Sequence, residues 1–127
     1  MSVPTMNTFS RAEAERLVAQ HRFKITNVLS IPIDTVSRIV QKYCNGIFPD
    51  ILSLDVEGLD EEILQSIDFL GSVPTVICLE TISYSENGAG EKNTAIIQFL
   101  KDKGYMVYAD TYINTIFVVE KKWRKGV

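Results

Sequence analysis

Residues 50–64 constrain the fold more than any other part of the chain: a short apolar strand there passes through two carboxylates and a glycine directly into a helix. Ile51, Leu52 and Leu54 form a run too continuous for a half-exposed strand and too short for an independent helix, which fits a buried, parallel strand. Pro49 restricts Phe48 and blocks an upstream helix, and Asp55, Glu57, Gly58 and Asp60 then mark an abrupt change of chain direction. The acids Asp55 and Glu57 therefore lie beyond the strand's carboxyl end, where open α/β sheets bind their ligands. Carboxylates so placed can hold a hard cation, act as a general base or hydrogen-bond a ligand hydroxyl, and their spacing leaves all three open. The plainer alternative is that they only favour the positive end of the following helix. Gly58 reads as a turn residue needing positive φ, and Asp60 as the helix N-cap.

The rest of the chain alternates in the same way. Ser10 and Glu13 form a capping box that opens a helix over residues 10–20, with Ala14, Leu17 and Val18 on one face. Residues 23–33, rich in Ile and Val, predict a strand. Asp34 or Thr35 caps a second helix whose Val36, Ile39, Val40 and Tyr43 fall on one sheet-facing stripe, closed by Asn45-Gly46. The helix that starts at Asp60 runs to about residue 69, residues 71–74 turn back, and residues 75–79 form a second apolar strand ending at Glu80 and Thr81. If the two strands are parallel neighbours, Glu80 and Thr81 face the same crevice as Asp55. The loop 83–91 contains Gly88 and Gly90, but residues 81–87 separate them from the strand, so it is no phosphate-cradling turn. Ala95, Ile96, Phe99 and Leu100 mark a helix closed by Gly104, and strands 105–110 and 115–120, joined by residues 111–114, form an antiparallel hairpin. The expected fold is α/β, a mostly parallel sheet with a C-terminal antiparallel hairpin.

At 127 residues with 46% hydrophobic content, the chain suits one domain. Its net charge of -3 argues against a nucleic-acid partner, and Lys121, Lys122, Arg124 and Lys125 read as a solvated tail. Cys44 and Cys78 have neither a disulfide framework nor metal-ligand spacing, which favours reduced thiols and a cytoplasmic setting. No apolar stretch approaches the ~20 residues needed to span a bilayer. His21 is the only histidine, so no histidine triad or zinc site can be built. Tyr84, Tyr105, Tyr108 and Tyr112 read as half-buried packing.

The series Leu54-Asp55-Val56-Glu57-Gly58-Leu59-Asp60, Ile67-Asp68-Phe69, Pro74-Thr75-Val76-Ile77-Cys78-Leu79-Glu80-Thr81, Gly104-Tyr105 and Ile116-Phe117-Val118 resembles the FkbM family of S-adenosylmethionine-dependent methyltransferases, from about residue 25 to 120. The resemblance implies a Rossmann-like methyltransferase sheet of which this chain matches the C-terminal half, without the first two strand-helix units. It implies S-adenosylmethionine as cofactor and the hydroxyl of a small molecule or sugar as acceptor. Asp55 and Glu57 would be catalytic, with Gly58, Glu80 and Thr81 on the acceptor side. The cofactor-binding residues stay unknown, because the glycine-rich turn that holds the cofactor in this fold has no counterpart here. A sheet without those units exposes an edge, through which a homo-oligomer would form. Two other functions remain open: a non-catalytic binding or dimerisation module using that edge, and a metal-dependent nuclease built on Asp55-x-Glu57.

Overall fold

Residues 7–20, 23–56, 58–82 and 90–125 are described in a computed structural model of the chain. The described residues form, in chain order, α1 (Arg11–Ala19), α2 (Val36–Cys44), β1 (Ile51–Leu54), α3 (Asp60–Gln65), β2 (Val76–Glu80), α4 (Thr94–Asp102), β3 (Tyr105–Asp110), β4 (Asn114–Val119) and α5 (Glu120–Lys125).

Local side-chain chemistry sets most helix ends. The Ser10 hydroxyl accepts the Glu13 N–H at 3.2 Å, the Thr35 hydroxyl accepts that of Arg38 at 3.3 Å, and Asn93 Oδ1 accepts that of Ile96 at 3.1 Å. At the other ends, Asn45 takes the left-handed conformation with φ 53° and Gly104 follows α4 with φ 89°. The expected Asp60 cap is corrected: Leu59 occupies that position without a side-chain hydrogen bond, and Asp60 is the first helical residue. The same helix stops at Gln65 rather than near residue 69, because Ser66 closes it, its N–H bonding to the carbonyls of Glu62 and Ile63. Lys121 to Lys125 are exposed as expected but helical, in α5.

The four strands form one sheet in the order β1-β2-β4-β3. β1 and β2 are parallel, joined through α3, whereas β2–β4 and β3–β4 are antiparallel. The expectation of a mostly parallel sheet is therefore corrected: the final hairpin does close the sheet, but β4 inserts between β2 and β3, so antiparallel pairings prevail. A second correction concerns residues 23–33, which form no strand. They are largely exposed chain without regular secondary structure, with Val28 81% and Ile33 83% exposed.

One face of the sheet carries the core. Leu54, Ile77, Leu79, Tyr105 and Phe117 pack against Leu64 and Ile67, on and after α3, and against Ile96 and Leu100 of α4, with Val36 of α2 at the margin. The other stripe residues of α2 are less buried than expected: Val40 is enclosed, but Ile39 and Tyr43 remain exposed. On the opposite face, Trp123 of α5 meets Tyr108 edge to face at 4.9 Å. Cys44 and Cys78 are free thiols. Among the described residues, no helix is long and apolar enough to cross a membrane.

Candidate functional site

The parallel pair fixes the geometry. Leu54 lies opposite Leu79, so Asp55 and Glu80 continue the two strands side by side at the carboxyl edge. Beyond that edge opens a cavity of about 640 Å³, walled by the strand end at Glu80, Thr81 and Ile82, by the turn and helix start at Gly58, Asp60 and Glu61, and by α1. Gly58, Glu80 and Thr81 all line this cavity. Asp55 does not line the cavity; it stands exposed just past β1. Glu57, Tyr84, Gly88 and His21 lie outside the described residues.

Gly58 is required by conformation and not by space. Its φ is 102°, a region L side chains avoid, while a Cβ there would only touch Ser10 Cβ at 4.0 Å. Thr81 is buried and anchors the floor: its hydroxyl shares a 2.6 Å hydrogen bond with that of Thr115, its N–H donates to the Ile113 carbonyl, and its carbonyl accepts from Asn93 N–H. Strand β2, the β3–β4 turn and the start of α4 are locked together at that residue.

Sequence reasoning missed several wall residues. Asp60 appears there only as a cap, yet it lines the cavity, and its buried Oδ1 has no hydrogen-bond partner. Burial pushes the Asp60 carboxyl above the ordinary range; the charge of Asp55 adds to the rise, and backbone groups of Asp60, Val56 and Gly58 oppose it. Ser10, Glu13 and Arg16 present one side of α1 to the cavity. Arg16 donates to both Glu13 carboxylate oxygens, at 2.9 and 2.5 Å, which holds the Glu13 carboxyl below its usual value. Lys92 donates to Asp110 at 2.7 Å and to the Tyr112 carbonyl at 2.6 Å, and this keeps the Asp110 carboxyl low. The spacing of residues 10, 13 and 16 marks a helix face, but no local signal shows where that helix docks. Among the described residues, no three His, Cys, Asp or Glu side chains are grouped to hold a metal ion.

The arrangement is a partly enclosed, carboxylate-rich pocket at the end of two parallel strands, suited to hydroxyl and cationic groups. A family model described as Methyltransferase FkbM domain matches residues 2–107. No curated protein and no solved structure matches the chain.

Proposed function

Given that the chain belongs to the FkbM methyltransferase-domain family, we propose that it serves S-adenosylmethionine-dependent methylation of a hydroxyl oxygen on a small molecule or sugar. The observation that carries this reading is the cavity at the carboxyl edge of β1 and β2, where Gly58, Glu80 and Thr81 converge. Its volume falls within the roughly 300–1,000 Å³ of small-molecule sites.

The residues present suit the cofactor chemically. Ribose hydroxyls and a cationic amino acid portion call for acceptors, and Asp60 and Glu80 offer carboxylate oxygens on the cavity wall. When bound, S-adenosylmethionine supplies a methyl group on a positively charged sulfur. What remains for the chain is to orient the acceptor hydroxyl and take its proton. Asp55, at the open end of β1, is proposed for that proton, with Glu57 beside it in sequence and Glu80 and Thr81 positioning the acceptor. In the Rossmann-like arrangement this implies, β1 and β2 are the fourth and fifth strands and the β3–β4 hairpin the sixth and seventh.

Calorimetry and thermal melting with S-adenosylmethionine test the reading. Binding to the folded chain alone stabilises it by about 2.7 kcal/mol at a hundredfold excess over Kd. The absence of both heat and a melting shift at saturating cofactor would count decisively against it. Unchanged turnover in Asp55→Asn would remove that residue from the mechanism.

A second reading, a binding or dimerisation module without catalysis, is favoured by one observation. Among the described residues β1 pairs only with β2, and Ile51 on it is 66% exposed.

A further inference from the structure

Two parts of the chain carry backbone that asks for a partner. Among the described residues nothing pairs with β1 on the side away from β2, where the backbone groups of Ile51 and Ser53 point. Residues 27–33 are exposed, and no hydrogen bond ties them to the other described residues. Yet Val28, Leu29, Ile31 and Ile33 are the residue types of a half-buried strand.

The two fit each other in one direction only. Pro32 has no N–H, so a strand made of these residues turns Val28, Ser30 and Pro32 outward and offers the backbone of Leu29, Ile31 and Ile33 to its neighbour. In a parallel pair, each residue whose groups point at the partner lies opposite one whose groups point away, so Ile51 and Ser53 fall opposite members of the Val28, Ser30, Pro32 set. Side chains directly opposite share a face. Leu29, Ile31 and Ile33 then extend the face of Leu52 and Leu54, of which Leu54 is in the core and Leu52 packs against it. Antiparallel pairing would reverse the match and bring Ser30 and Pro32 to that apolar face.

Charge and area agree. β1 is bracketed by Asp50 and Asp55, so two β1 strands paired antiparallel would set acid opposite acid, whereas residues 27–33 carry no charge. A covered aliphatic side chain of this size hides roughly 60–120 Å². Four from each copy, with the surface that receives them, reach on the order of 1,000–1,900 Å², against the roughly 1,200–2,000 Å² of stable interfaces.

We propose that residues 27–33 of a second copy add to β1 as a parallel strand, given and received by both copies in a closed dimer. Each copy holds one donor segment and one accepting edge, so reciprocal exchange leaves neither over. The new outermost strand presents Pro32 to solvent, which blunts further growth. This pairing rests on the dimerisation reading of the β1 edge and asks nothing of methylation.

Light scattering and hydrogen exchange on the full chain, over a range of concentrations, test it. The mass should rise to twice that of one chain and stop, and the amides of Leu29, Ile31 and Ile33 should gain protection over the same range. Ile31→Lys, at a position exposed in the single chain, should leave the melting temperature of the dilute chain unchanged and abolish both effects. A doubling that survives Ile31→Lys, without protection of those amides, leaves the dimerisation reading standing and overturns the exchange. Protection of the same amides in a monomer would seat the segment on its own chain and also overturns it. A monomer without protection at every concentration removes both readings.

Discussion

At the scale of single residues, two buried polar contacts stabilise the fold, one on the cavity floor and one before the start of β2. The Thr81–Thr115 hydroxyl pair is buried and 2.6 Å long. Thr115→Val should cost about 1–3 kcal/mol, because the Thr81 hydroxyl is then buried without its partner. Removing both hydroxyls should cost less than the sum of the single changes, and a double-mutant cycle in denaturant measures the coupling. Additive costs would mean that the pair contributes nothing as a pair. Tyr105 donates its O–H to the Pro74 carbonyl at 2.5 Å, and burial pushes its phenol up to about 12. The unfolded chain ionises the same group near its usual value of about 10. The folded state resists ionisation, so its stability is complete below about 10 and is lost as pH rises towards 12. Melting temperatures across that window should fall in the unmodified chain and fall less in Tyr105→Phe, which in turn loses about 1 kcal/mol at neutral pH.

At the scale of elements, α3 is short and depends on a single buried side chain, Leu64. Leu64→Ala should cost about 2–5 kcal/mol and, because the same helix begins with Asp60, should also weaken ligand binding in the cavity. Leu70→Ala is the matching control: that side chain is 99% exposed, and its loss should change stability by no more than about 0.5 kcal/mol. The elements also show which parts of the structure can be read from sequence. The caps at Ser10 and Thr35 and the closures at Asn45 and Gly104 are legible because each depends on a side chain or a φ angle within a few residues. The strand ends at Asp55 and Glu80 are legible for the same reason, and they locate the carboxyl edge where the cavity lies. The segment 23–33 misleads because its β-branched residues report only a preference, while a strand also needs a partner edge at a distance. Strand order and the docking of α1 are equally non-local, so the antiparallel majority and the wall formed by Ser10, Glu13 and Arg16 leave no mark in the spacing of residues. Asp60 shows a subtler failure: the acid at a helix start is legible, but its burial against the cavity is not.

At the scale of the whole molecule, β1 is an outer strand of the sheet among the described residues. The Asp50 carbonyl accepts the Val76 N–H at 2.8 Å, so the alternation of a parallel ladder turns the backbone groups of Ile51 and Ser53 away from β2. We expect this edge to pair with a second copy, giving an apparent mass in light scattering that rises with concentration. Ser53→Pro should abolish the rise while sparing the β1–β2 ladder, since only an outward-facing N–H is lost. A constant monomer mass in the unmodified chain would show the edge to be idle. The order β1-β2-β4-β3 also acts in time. The strand that fills the gap beside β2 is the last of the four to leave a ribosome, and it brings the fully buried Phe117 with it. At ordinary elongation rates, the interval between the emergence of β2 and that of β4 is on the order of seconds, long compared with local folding. During that interval β2 is bare on the side that β4 later covers. Newly made copies crowded on one message are therefore most exposed to mispairing before β4 emerges, and slower translation across residues 80–114 would lengthen that exposure.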